Sequence, residues 1–224
     1  MAKKIFITAT GTDIGKTYVS ALIVKKMNES GYNCGYYKPV LSGVEELNGK
    51  LIKSDCNYVV KKSGIGVSPD ECVSYWWKEA VSPHLASKRA GEIIDFKRIK
   101  NDFSKLDSMY DYLLVEGAGG ITCPLRLENG EKYLLNDLIK DLNTPVLIVA
   151  DGGLGTINSI LLTAEYAKNK GIKINGIILN NFEPDNFMHK DNLAQVEYLT
   201  GIKVVATVEK NAEEINLLEN LFEN

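Results

Sequence analysis

Long hydrophobic runs are missing from this sequence of 224 residues. The longest, such as Val146–Ala150 and Ile160–Ala164, are far too short to cross a bilayer. The apolar stretch after the basic start Met-Ala-Lys-Lys gives out at Thr8 to Thr12, which is too short for a signal-peptide core, and no cleavage site follows. These absences predict a cytoplasmic protein with no membrane partner. Histidine is scarce, with only His84 and His189, so a His-rich metal centre is excluded. Cys34, Cys56, Cys72 and Cys123 show no close pair and no metal-ligand spacing, which argues against zinc. They read as reduced, mostly buried thiols. An excess of positive charge is also lacking: 26 Lys and Arg against 29 Asp and Glu leave no basic stripe for a nucleic-acid backbone. No Ser/His/Asp or Cys/His set announces a covalent nucleophile.

What is present reads as one soluble domain over residues 1–224, with no repeat, low-complexity tract or linker to divide it. Short apolar runs alternate with amphipathic stretches, the pattern of strands and helices taking turns around a mostly parallel sheet. The predicted strands are Lys4–Ala9, Cys34–Pro39, Tyr112–Glu116, Val146–Ala150, Gly176–Asn180 and Val204–Val208. Several are continuously apolar, as strands covered on both faces must be. A first helix carries Val19, Leu22, Ile23 and Met27 at helical spacing, with Gly31 placed as its left-handed C-terminal residue. Another runs from Thr156 to Gly171, and Ser82-Pro83 reads as an N-cap followed by proline in the first helical position. Residues Lys61–Pro69, with little periodicity, read as a surface connection.

The segment Thr10-Gly11-Thr12-Asp13-Ile14-Gly15-Lys16-Thr17 follows the first strand and opens the first helix, the setting a phosphate-binding P-loop requires. Glycines let the backbone curl so that successive N–H groups point inward, and the helix N-terminus adds partial positive charge. Lys16 then reaches the outer phosphates and the Thr17 hydroxyl is a ligand for Mg²⁺. Thr10 stands where the standard pattern has its first glycine. The fold class predicted is α/β: a P-loop NTPase-like, doubly wound, mostly parallel sheet flanked by helices.

Tyr112–Val115 is an apolar strand that ends in Glu116 and runs into Gly117-Ala118-Gly119-Gly120. A carboxylate at a strand end beside the P-loop is where nucleotide enzymes hold Mg²⁺. The alternative is a solvated strand-end charge. Lys38 closes the second strand and Ser42 follows, which aims both at the crevice at the carboxyl edge of the sheet. A lone Lys38 would read as a surface lysine. Asp55, after Ser54, could be no more than a helix-start residue.

Four segments together, Gly11–Thr17, Tyr37-Lys38-Pro39-Val40-Leu41-Ser42-Gly43, Ser82-Pro83-His84 and Val115–Gly120, closely resemble the dethiobiotin synthetase family in order and spacing over nearly the whole chain. The resemblance implies a cyclo-ligase of biotin biosynthesis. Its substrates would be 7,8-diaminononanoate, CO₂ and ATP, with Mg²⁺ bound. A carbamate forms on one amine and takes the γ-phosphoryl group of ATP, and the second amine closes the ureido ring, expelling phosphate. By the same resemblance, Thr17, Asp55 and Glu116 hold Mg²⁺. Lys16 and Lys38 steady negative charge on the phosphoryl group and the carbamate, and Thr12 and Ser42 meet the diamine. ATP is implied to lie against Asp13, Ile14, Gly15, Lys16, Thr17 and Tyr18. Gly117, Ala118 and Gly119 join them, with Asn180 and Asn181 at the adenine. The family is dimeric, and Leu154, Gly155, Ile157 and Asn158 are implied to receive the far end of the partner subunit's substrate. Three departures stand out. Ala9 replaces a frequent glycine, Asp13 a frequent glutamate, and Val208-Glu209-Lys210-Asn211 lacks a proline that some members have after the last strand.

Three competing readings are a partitioning or regulatory P-loop ATPase switch, an amidotransferase-type synthetase and a nucleotide-binding module without catalysis. The switch proteins usually carry an extra lysine early in the loop, where this chain has Gly11, and 224 residues leave no room for a glutaminase domain.

Overall fold

The computed structural model describes residues 1–47, 49–128, 130–217 and 221–222. Strand β1 (Lys3–Ala9) is apolar on both faces, with Ile5, Ile7 and Ala9 turned to one core and Phe6 to the other. Helix α1 (Lys16–Glu29) follows and ends at Ser30, with Gly31 left-handed just beyond it as the spacing predicts. Next come β2 (Cys34–Ser42), the antiparallel hairpin of β3 (Glu45–Leu47) with β4 (Lys50–Ile52), and α2 (Ser54–Ser63). A 3₁₀ turn at Pro69–Cys72 leads into β5 (Val73–Trp77), then α3 (Pro83–Ala90) and α4 (Phe96–Met109). After β6 (Tyr112–Glu116) a second antiparallel hairpin joins β7 (Pro124–Glu128) and β8 (Glu131–Leu134), followed by α5 (Leu135–Asp141). The chain closes with β9 (Val146–Asp151), α6 (Thr156–Asn169), β10 (Ile174–Asn180), α7 (Phe187–Thr200) and β11 (Val204–Val208).

Among the described residues seven strands form one sheet in the order β11-β10-β9-β1-β6-β2-β5, and each neighbouring pair is parallel. The predicted strands are all present. β2 runs on past Pro39 to Ser42, because the edge strand β5 gives Val40 and Leu41 a partner. β5 itself and both hairpins were not expected. Lys61–Ser63, expected in a connection, form the last turn of α2, which Gly64 ends in the left-handed conformation. Ser82 does precede α3, with Pro83 in the first turn, but its hydroxyl lies 2.9 Å from His84 Nδ1 rather than capping the helix.

Two hydrophobic cores lie on opposite faces of this sheet. Phe6, Tyr37, Val115 and Ile148 belong to one, and Ile5, Ile7, Leu22, Tyr36 and Leu114 to the other. From β1 the chain builds outward to β2 and β5, returns to β6, then crosses β1 to lay down β9, β10 and β11. In such open sheets the crevice at the carboxyl ends of the strands, where the winding reverses, is the natural ligand site.

Candidate active site

The loop between β1 and α1 depends on Gly15, whose φ of 95° is left-handed. A Cβ there would stand 2.2 Å from Asn180 Nδ2, so close approach demands glycine as well. Asn180, at the end of β10, donates from Nδ2 to the Ile14 carbonyl at 2.9 Å and so ties the loop to β10. Helix α1 begins at Lys16 with no side-chain cap, which leaves its first amides free for an anion.

A cleft of about 660 Å³ opens over this loop. From the expected site it gathers Thr12, Asp13, Gly15, Lys16, Thr17 and Tyr18 of the loop and first turn, with Lys38, Ser42, Asp55, Glu116, Ala118 and Gly119. Val40, Leu41, Ser54 and Tyr58 also line it and were not foreseen.

Register explains the convergence. Tyr36 pairs with Leu114 and Tyr37 with Val115, so Lys38 and Glu116 come side by side one step further along β2 and β6. Glu116 is fully buried, and three donors satisfy it: Thr17 Oγ1 at 2.7 Å and Lys38 Nζ at 2.6 Å on Oε1, Tyr36 Oη at 2.9 Å on Oε2. The reading of Glu116 as a solvated charge is thereby overturned, as is that of Lys38 as a surface lysine, which is 3% exposed. Lys38 Nζ also pairs with Asp55 Oδ2 at 2.6 Å and donates to the Gly117 carbonyl at 3.3 Å. Burial alone would lower its pKa, but Glu116 and Asp55 outweigh burial and hold it above the ordinary lysine value. Asp55 sits in the first turn of α2, a place that favours a carboxylate, and makes its bond to Lys38 rather than to the helix start.

Lys16 is nearly buried, its Nζ donating to the Gly11 carbonyl at 3.3 Å. Burial first and the Lys38 charge second lower its pKa. Tyr36 was not among the expected residues and joins the site through its bond to Glu116; its signal was the two-residue strand period, which puts it on the same face as Lys38. Burial and the nearby Glu116 carboxylate raise its phenol pKa well above the ordinary value, so it stays a donor.

Other expected residues lie differently. Gly117 is set back: its N–H donates to the Ile7 carbonyl, and a Cβ would meet Leu135 at 2.7 Å and Phe6 at 2.8 Å. Core packing, not approach to an anion, explains this glycine. Gly120 does lie against the loop, where a Cβ would stand 3.2 Å from the Ala9 carbonyl oxygen. Asn181 is exposed, with φ of 52°, and donates to Asp151 Oδ2 at 2.8 Å. Leu154, Gly155, Ile157 and Asn158, at the start of α6, do not line this cleft. Among the described residues no cluster of three or more His, Cys, Asp or Glu is placed to hold a metal, and no helix is long and apolar enough to cross a membrane.

A family model described as "AAA domain" matches residues 3–216. The chain is 51% identical to the ATP-dependent dethiobiotin synthetase BioD of Brachyspira hyodysenteriae, covering all of both chains. It is 48% identical to the protein of that name from Clostridium botulinum, covering all of this chain and 98% of that one. Among solved structures it resembles the signal recognition particle receptor FtsY of Elizabethkingia anophelis in complex with GDP, with TM-score 0.56, 13% identity and coverage of 100% of this chain and 62% of that one. It also resembles the MinC:MinD cell division protein complex of Aquifex aeolicus, with TM-score 0.56, 14% identity and coverage of 95% and 83%. At such low identity these two likenesses show the doubly wound P-loop fold alone, while identity near one half along the whole length says more. The chain belongs to the ATP-dependent dethiobiotin synthetase family.

Proposed function

We propose that this single-domain chain is itself an ATP-dependent dethiobiotin synthetase, which closes the ureido ring on 7,8-diaminononanoate at the cost of one ATP. The observation that carries the proposal is the Lys38 ammonium, held 2.6 Å from both Asp55 and Glu116 above a glycine-dependent phosphate loop. The switch-ATPase alternative lacks support, since its early loop lysine is replaced by Gly11.

The residues present fit the nucleotide. The curled loop and the open start of α1 offer amides to the phosphates, and Lys16 lies beside them to neutralise the outer charge. Asn180 Oδ1 is buried with no partner among the described residues, an acceptor suited to the amino group of adenine. The donor set of Thr17, Asp55 and Glu116 suits Mg²⁺, which takes one or two carboxylates and completes its shell with phosphate oxygens and water. When bound, the ion neutralises charge developing between the β- and γ-phosphates.

The chain's own part is positioning and electrostatics. Lys38, immobilised by two carboxylates, presents fixed positive charge to the carbamate and to the phosphoryl group it receives. Thr12 and Ser42, which both line the cleft, orient the diamine. The start of α6, with Leu154 and Gly155 exposed, would hold the far end of a partner subunit's substrate, which makes the enzyme a homodimer; its compartment, by its biosynthetic role, is the cytoplasm. α6 packs against α7, and together they expose Leu162, Phe187 and Tyr198, an apolar surface suited to a second copy. The test is an assay with the diamine, bicarbonate and Mg-ATP, following phosphate release and the ring-closed product. Hydrolysis indifferent to the diamine would overturn the proposal.

A further inference from the structure

Glu116 has three donors, and they are not equivalent. Thr17 and Lys38 both address Oε1. Thr17 is itself a candidate metal ligand, and Lys38 is a cation that competes with any metal for the same oxygen. Tyr36 alone addresses Oε2, at 2.9 Å, and it brings no charge. It therefore restrains the carboxylate without contesting the oxygen that faces Thr17 and the cleft. The terminal torsion of a glutamate is broad, so an unrestrained carboxylate turns freely. A fully buried carboxylate oxygen without a donor would carry a large desolvation cost and would turn to find one.

The mounting of Tyr36 is rigid. Its ring is 1% exposed, its backbone pairs with Leu114 in the middle of the sheet, and it lies on the same strand face as Lys38. A site supported from a central strand keeps its geometry better than one supported from a loop.

We propose that Tyr36 is a positioning residue for Mg²⁺: its hydroxyl locks the Glu116 carboxylate in the orientation that presents Oε1 to the ion. The proposal rests on the assignment of Glu116 as a Mg²⁺ ligand. Removing the partner of a metal-binding side chain typically lowers metal affinity about ten- to a hundredfold.

The test measures the affinity of a non-hydrolysable ATP analogue by calorimetry, with and without Mg²⁺. Four proteins are compared: wild type, Tyr36→Phe, Glu116→Gln and the double variant. The ratio of the two affinities is the gain due to Mg²⁺, and because each ratio is taken on one folded protein, a general loss of stability cancels. We expect Tyr36→Phe to cut the gain about tenfold or more. Added to Glu116→Gln, it should cut no further, because the residue through which it acts is already changed. The Mg²⁺ concentration for half-maximal turnover should rise in parallel, with kcat at saturating Mg²⁺ near wild type. A Tyr36→Phe protein that melts earlier yet keeps the full gain, while Glu116→Gln loses it, would overturn the role of Tyr36 and leave that of Glu116 standing. If Glu116→Gln keeps the full gain, or wild type shows none, the Glu116 assignment itself fails.

Discussion

Lys16 and Lys38 hold their positive charges against burial by different means, and their loss should be felt differently. Among the described residues Lys16 has only the Gly11 carbonyl as a hydrogen-bond partner, and burial lowers its pKa, so an anion beside it would favour its charged form. Lys16→Ala should weaken ATP binding by at least about tenfold, the scale of a hydrogen bond to a charged group, and slow turnover as well. A nucleotide titration checks this, and an unchanged curve would contradict the loop assignment. Lys38 is already paired with two carboxylates, so on the proposed reading its loss should be felt less in nucleotide binding than in the rate. Lys38→Ala should leave ATP affinity within a few-fold and cut kcat by about a hundredfold or more, as for loss of one preorganised donor. It should also destabilise the free protein by about 3 kcal/mol, because Glu116 would stay buried without its cation. Denaturant melts read that second effect independently of turnover.

At the scale of elements, close approach governs where glycine is compulsory. Gly35 in β2 lies under the ring of Tyr110, and a Cβ would stand 2.3 Å from its Cδ2. Tyr110 follows α4 at the foot of β6, so a displaced ring would disturb the junction from which Glu116 is aimed. Gly35→Ala should cost about 1–3 kcal/mol of overpacking, measurable as a lower denaturation midpoint with an unchanged m-value. The helices α1 and α6 and the central strands were legible in sequence because continuous apolar runs and glycine punctuation are local signals. β5 was not legible. Its alternation of Val73, Tyr75 and Trp77 is brief, and it is a strand because β2 offers Lys38 to Ser42 as partners, a fact about distant residues. The site divides in the same way. The Gly15-Lys16-Thr17 run announces itself, whereas the use of Tyr36 on Glu116 depends on β2 and β6 lying in register 80 residues apart. Gly117 shows the converse: a glycine beside an anion-binding loop, present because Leu135 and Phe6 leave no room for more.

At the scale of the whole molecule, the exposed side chains of α6 and α7 bear on assembly. Leu154 is 93% exposed and Phe187 86%, too much apolar surface to be comfortable in water at one end of the sheet. Leu154→Asp and Phe187→Asp should shift sedimentation toward a single chain. Thermal stability at low concentration should change by less than about 0.5 kcal/mol, as for exposed positions in general. Activity would fall with them if the start of α6 serves the partner's cleft, and mixing either variant with a Lys38→Ala chain would recover part of it only if sites are shared. The position of β1 has a consequence of another kind. Its two neighbours are β6 and β9, so β1 gains its second partner only when β9 has been made. A ribosome that has released the phosphate loop must still synthesise residues up to Asp151 before both flanks of that loop exist. Until then β1 has a parallel neighbour on one side alone, and the phosphate loop that leaves it is held by half of its final frame.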